Sequence, residues 1–260
     1  MVDLTEEQWI AIAPYFPEKE RVRPGPQGGR PYRDPRDVLN AVLWVLRTGA
    51  PWSDLPSRYP PYQTCHRRYQ AWVDDGVLHR VLCALAEDLK TRGKIDITEA
   101  YIDGSHAGAK RGALMLGSPR RGKATKIMAV ADRNGLPVAA WTTSGARHES
   151  QLVVDTLDAR FVEEAPHVLI GDKAYDSDAL DEQLKLELGT ELISPHRARR
   201  VRPSTQDGRK LRRYKRRWKV ERLFAWLMQF RRLVTRWELY APNFEGFVHL
   251  GCLIILLRRL

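Results

Sequence analysis

Cysteine is nearly absent from this chain: 260 residues hold three, Cys65, Cys83 and Cys252. They are far apart, odd in number and set among apolar or helical residues, which excludes a disulfide framework and a cysteine zinc cage. Long hydrophobic runs are missing too. The longest uncharged apolar stretch, Gly246 to Leu257, falls short of the roughly 20 residues that cross a bilayer and predicts a buried terminal helix. Met1 to Gln8 is acidic and polar where a secretion signal would be basic and then apolar, so the expectation is a cytoplasmic, nucleoid-associated protein without a membrane partner. Acids are in deficit. The 32 Asp and Glu face 43 Lys and Arg, a formal net charge of +11, which favours a polyanionic partner such as nucleic acid over the blander ribosomal or membrane-surface reading. Eight Trp and 43% hydrophobic residues exclude a disordered basic tail, and the length suffices for one large or two smaller domains.

The first third reads as helices. Thr5 caps a helix carrying Trp9, Ile10 and Ile12 that stops at Pro14 to Pro17. Residues 18–33 form a Pro/Gly/Arg-rich loop. Asp34 caps a helix from Pro35 to Arg47 with Val38, Leu39, Val42, Leu43 and Leu46 inward, ended by Thr48-Gly49. Helices follow over Tyr62 to Val73 and Val77 to Thr91. The third helix bears Gln63, Thr64, Arg67 and Arg68, and a short polar helix in a compact helical set has the form of a helix-turn-helix reader. A helical domain with a solvated basic face explains the same pattern about as well.

After Gly93 the pattern changes to mixed α/β. Ile95 to Ser105 reads as a strand ending in Asp103, followed by a basic loop over 107–123. Lys126 to Ala131 and Pro137 to Thr143 read as strands joined by Asp132-Arg-Asn-Gly135, a hairpin turn. Glu149 to Phe161 reads as a helix, Val168 to Ile170 as a buried strand leading into Asp172, Asp176 to Leu188 as a helix with Asp176 as its cap, and Glu191 to Ser194 as a strand. Residues 196–213 form an Arg/Lys-rich loop. Tyr214 to Phe230 then reads as one unbroken helix, with Val220, Leu223, Phe224 and Leu227 on its buried stripe and Tyr214, Arg217 and Glu221 on another face.

Asp103, Asp172 and Glu221 are acids at two strand ends and on a late, strongly basic helix. Carboxylate oxygens suit hard divalent cations, and a pair of such ions can serve phosphodiester cleavage. A lone surface Glu neutralising its neighbours is the plainer account of Glu221, and turn or capping chemistry is the plainer account of Asp132, Asp176 and His148-Glu149. His106 reads as a hydrogen-bonding neighbour.

The motifs LTEEQWIAIAPYFP, GGRPYRDPRDVLNAVLWVLRTGAPWSDLP, YQTCHRRYQAWVDDGVL, YIDGSH, GKATKIMAVADRNGLPVAAWTTSGARHES and IGDKAYDSDAL run nearly end to end. With the closing Tyr-x2-Arg-x3-Glu (Tyr214, Arg217, Glu221), this order of blocks resembles the DDE transposases of bacterial insertion sequences, specifically the IS5 family within the IS4-like group. The resemblance implies an RNase H-like catalytic domain over 93–260, holding the basic loop 196–213 and the C-terminal helices, behind a helical DNA-binding domain over 1–92. It implies Asp103, Asp172 and Glu221 as a metal-binding triad for two Mg²⁺, with Mn²⁺ substituting. It also implies Tyr214 and Arg217 near the DNA backbone, with Arg213 and Arg216 in the basic clamp. The implied partners are double-stranded DNA, as terminal inverted repeats and target, and a second copy of the chain. The family pattern places a Lys where this chain has Met228. A non-catalytic element-derived repressor and a nuclease without strand transfer are the rivals. The division at residue 92 carries its own expectation, that residues 93–260 stay soluble without the helices.

Overall fold

The structure is a computed structural model describing residues 3–16, 32–110, 124–198 and 208–260. Most of the three basic loops expected from the sequence (18–33, 107–123 and 196–213) lies outside the described residues. Helix α1 (Glu6–Ile12) starts in a capping box: the Thr5 hydroxyl accepts from the Gln8 N–H at 3.2 Å, and the Gln8 side chain accepts from the Thr5 N–H at 3.2 Å. Asp34 caps α2 (Pro35–Thr48) through the Arg36 N–H at 2.7 Å, and Gly49 closes it at φ +69°, a conformation glycine adopts without strain. α3 (Tyr62–Asp74) and α4 (Val77–Thr91) complete the helical layer.

The remainder is a mixed sheet with helices on both faces. Its strands are β1 (Ala100–Ala109), β2 (Ala124–Ala131), β3 (Pro137–Ser144), β4 (Val168–Ile170), β5 (Glu191–Ile193) and β6 (Thr235–Arg236). The order is β3-β2-β1-β4-β5, with β6 on β1; β2 runs antiparallel to both neighbours, and β4, β5 and β6 pair in parallel. This is the RNase H-like arrangement that the resemblance implies. Between and after the strands lie α5 (Val153–Asp158), α6 (Asp178–Leu188), α7 (Gly208–Leu211), α8 (Trp218–Leu227), α9 (Arg231–Val234) and α10 (Ala241–Leu257).

The β2–β3 turn is held by one carboxylate. Asp132 is fully buried and accepts from the N–H groups of Asn134, Leu136 and Asp96 at 2.9, 2.7 and 2.8 Å. Asp132→Ala would orphan three donors at once, so denaturant unfolding is expected to show a loss of about 2–4 kcal/mol in unfolding free energy.

Five expectations need correction. The first strand begins at Ala100 and runs on to Ala109, so Asp103 lies within it and does not end it. Ala107 and Gly108, which read as the start of a loop, pair with Thr125 and Ala124 across the ladder. The helix expected from Glu149 is a 3-10 turn, Glu149–Leu152, followed by the short α5. Ser177, not Asp176, caps α6. Finally, α8 begins only at Trp218, because Arg212–Arg216 forms a 3-10 turn. That tighter winding stacks positions three apart, and it brings both Arg213 and Arg216 onto Glu99, at 3.7 and 2.7 Å.

The core is continuous. Almost all of α10 is buried, with β3 against one side and α2, α3 and α4 against the other. Among the described residues no helix is long and apolar enough to cross a membrane.

Candidate active site

β1 is paired on its β4 side only at Ala100 and Tyr101, and further along to β6 at Gly108 and Ala109. Among the described residues, 102–107 have no ladder partner on that edge, and Asp103 sits at the start of this gap. Its carboxylate is mostly enclosed. Oδ2 accepts from Arg217 Nη2 at 3.1 Å, and Oδ1 accepts from the Gly104 N–H at 2.9 Å. Burial pushes its pKa up to about 6. Arg217 and the Gly104 N–H oppose that rise, and the charges of Glu149 and Asp172 add to it.

Asp172 follows β4 through Gly171. Its Oδ1 accepts from the Ala174 N–H at 2.7 Å and so caps the 3-10 turn Lys173–Tyr175. Gly171 is needed because a Cβ there would lie 2.6 Å from the Tyr175 ring. Glu221, in the first turn of α8, is more than half exposed. Its Oε1 accepts from the same Arg217 Nη2 at 3.1 Å, so a single guanidinium bridges Asp103 and Glu221. Arg217 is itself largely buried, and its Nη1 has no partner among the described residues.

The three acids therefore gather at one edge of the sheet: Asp103 and Glu221 through Arg217, and Asp172 within reach of the charge on Asp103. Among the described residues, however, no three Asp, Glu, His or Cys side chains already form a metal cage. The donor set suits a hard divalent cation on chemical grounds. All three acids offer oxygen, and a cation in the form of Arg217 already bridges two of them.

The other expected contacts divide. Gln63 and Arg67 are exposed on α3, and Thr64 is half-buried beside them. Arg68 donates to the Arg33 carbonyl at 2.7 Å and stacks over Trp72 and Tyr32, so it fastens the segment before α2 to α3. Tyr214 is partly buried and packs against the core from the 3-10 turn. Arg213 and Arg216, although partly exposed, are held by Glu99. His106 Nε2 reaches the Gly145 carbonyl at 3.4 Å. Asp176 accepts from His196 Nδ1 and the Arg197 N–H, each at 2.8 Å, which fixes the entry to the basic segment beside Asp172.

Sequence reasoning missed Glu149. His148 caps the following turn as expected, accepting from the Ser150 N–H at 3.3 Å, but Glu149 turns inward to Lys126, Tyr175 and the backbone of Gly104. The only signal for it was its place in the GARHES block.

A sheet in this order, with α8 packed across β1 and β2, defines an RNase H-like fold. Residues 91–257 match the family described as "Transposase DDE domain", and the chain belongs to that family: it is a DDE transposase of the insertion-element type. Residues 4–82 match a second family, described as "Putative transposase of IS4/5 family". Among relatives, the chain is 34% identical over 135 residues to the "Putative transposase for insertion sequence element IS6501" of Brucella ovis, covering 52% of this chain and 98% of that one. It is 35% identical over 134 residues to the "Putative transposase for insertion sequence element IS402" of Burkholderia cepacia, covering 48% of this chain and 59% of the relative. The fold is similar to that of piggyBac transposase, seen by cryo-electron microscopy in a synaptic complex with hairpin DNA. That match has a TM-score of 0.56 at 10% identity and covers 100% of this chain and 75% of the other.

Proposed function

We propose that the protein cuts double-stranded DNA at the terminal inverted repeats of its element and joins the freed 3′-hydroxyl to target DNA. Both steps are in-line phosphoryl displacements. The observation that carries this reading is that Asp103 and Glu221 share Arg217 at the open edge of β1, with Asp172 close enough to Asp103 for their charges to interact. These three carboxylates would hold the divalent ions, two Mg²⁺ or Mn²⁺. Such ions supply charge neutralisation for the attacking and leaving oxygens. Asp103 presents a desolvated carboxylate, and Asp172 is oriented by its bond to the Ala174 N–H. Arg217 keeps the site charge-balanced before DNA arrives, and its planar fork suits a phosphate oxygen once the carboxylates are otherwise engaged. Glu221, exposed at the head of α8, closes the set from the solvent side.

Residues 1–92 would read the repeats through the exposed face of α3, with Gln63 and Arg67 toward the major groove. Two ends cut in one complex call for at least a dimer. Incubating the protein with labelled element ends, target plasmid and Mg²⁺ or Mn²⁺ tests the scheme. Joined products that vanish in Asp172→Asn while end binding persists are expected. Binding without cleavage by the wild type would leave a repressor, and cleavage without joining a nuclease.

A second outcome concerns recognition alone. Arg67→Ala should weaken binding to element ends by roughly tenfold or more if Arg67 contacts a base edge, with little effect on random DNA. If both affinities fall equally and the dependence on salt becomes shallower, Arg67 contacts phosphate and α3 is not the reader.

A further inference from the structure

We infer that Glu149 is a fourth carboxylate of the active site, a positioning residue for the divalent ions held by Asp103 and Asp172. This rests on the triad reading above and extends it to a residue outside the triad.

The argument begins with two glycines. Gly104 directly follows Asp103 and Gly171 directly precedes Asp172, and neither has a positive φ that would require glycine. What each requires is space. A Cβ on Gly104 would lie 3.0 Å from Glu149 Oε1 and 2.9 Å from Met128 Sδ, and a Cβ on Gly171 would run into Tyr175. Tyr175 in turn donates its hydroxyl to Glu149 Oε2 at 3.3 Å. The two acid-flanking glycines thus admit the two halves of one pair, and that pair brings the Glu149 carboxylate against the β1 backbone beside Asp103.

The manner in which Glu149 is held argues against a purely structural role. A carboxylate can accept about four hydrogen bonds, whereas Glu149 accepts two long ones, from Tyr175 at 3.3 Å and Lys126 Nζ at 3.4 Å. Lys126 is buried, and its shorter bond, 2.8 Å, goes to the Arg147 carbonyl. Glu149 therefore keeps accepting capacity while it lies against Gly104, the residue after Asp103. Arg217 on Asp103 and Lys126 on Glu149 offset part of this acidic cluster, and a divalent ion would join the carboxylate oxygens they leave open.

The test is Mn²⁺ binding by the full-length protein, followed by the electron paramagnetic resonance of free Mn²⁺, with thermal melts in metal-free buffer. Glu149→Gln keeps the shape and the acceptor toward Lys126 and removes the charge. It should raise the Mn²⁺ Kd by roughly 10- to 100-fold, the usual scale for groups supporting a metal site, while the metal-free Tm stays level or rises. Gly104→Ala, which crowds the Glu149 carboxylate and Met128, should weaken Mn²⁺ binding as well. The two changes combined should weaken it by less than the product of their separate effects. Wild-type affinity in Glu149→Gln overturns the inference, provided Asp172→Asn has lost binding. Unchanged binding in Asp172→Asn, or none in the wild type, takes the triad reading down together with it. If Glu149→Gln does not fold, the Gly104→Ala titration decides alone: unchanged affinity there overturns the assignment.

Discussion

Asp103→Asn should lower cleavage at the element ends by roughly 10³-fold or more, the scale of losing a group that stabilises transition-state charge. At about pH 7.5 without divalent ions, the same variant should melt no lower than the wild type. Both expectations follow from one property of the residue. Burial holds the Asp103 pKa near 6 in the folded chain, against 3.8 for an ordinary aspartate. Between those values the folded state keeps a proton that the unfolded state has released. The contribution of Asp103 to stability therefore grows as pH falls through that window, and above about pH 6 its ionised form opposes folding. Asparagine carries no such cost and still offers an oxygen to Arg217. The Tm difference, variant minus wild type, should thus be zero or positive at about pH 7.5 and shrink toward about pH 4.5. His249, which burial holds down at about 4, titrates in the same range in both proteins and drops out of the difference. Scanning fluorimetry across pH and a cleavage assay check the two halves. A marked drop in Tm at neutral pH would mean that Asp103 is a structural ion-pair partner of Arg217, and wild-type cleavage would remove it from the chemistry.

Sequence showed well what is decided within a few residues. Thr5, Asp34 and Gly49 mark helix ends because caps act over two to four positions, and Asp132 to Gly135 marks a turn for the same reason. Asp103 and Asp172 stood out because each adjoins a β-branched or apolar run. What stayed hidden depends on partners far along the chain. Arg217 meets Asp103 across 114 residues, and Arg216 meets Glu99 across 117. The strand β6 is two residues long and exists because Gly108 and Ala109 lie beside it. Arg236, fully buried and donating to Thr125 and to the carbonyls of Glu238 and Leu239, reads in the sequence as one more surface cation. Glu149 was hidden for a further reason. A Glu after His at a helix start has an adequate local explanation, and only the space above Gly104 reveals the other use.

A chain reduced to residues 93–260 should be insoluble, the reverse of what a boundary at residue 92 suggests. The reason lies in α10, which serves both parts of the molecule. Phe247 stacks on Tyr69 at 4.6 Å between ring centres, and Gly246 lies so close to α3 that a Cβ would meet Val73 Cγ2 at 2.6 Å and the Tyr69 hydroxyl at 2.7 Å. The Tyr69 hydroxyl donates to the Asn243 carbonyl, Gln8 donates to the Leu257 carbonyl at 3.2 Å, and Arg232 Nη1 donates to the carbonyls of Gly49 and Ala50 at 3.3 and 3.2 Å. Uncovering each large apolar side chain costs about 1.5–3 kcal/mol. Four or five on α10 would consume the roughly 5–15 kcal/mol by which a domain is stable, before the broken hydrogen bonds are counted. Residues 1–92 supplied as a separate chain should restore solubility and co-purify with the fragment, because the interface is a core cut in two. A fragment that is monodisperse and melts cooperatively by itself would show instead that the helices are an appended module. In the first case recognition must be dissected by point changes on the exposed face of α3, since deleting the helices would destroy the catalytic fold that the assay needs.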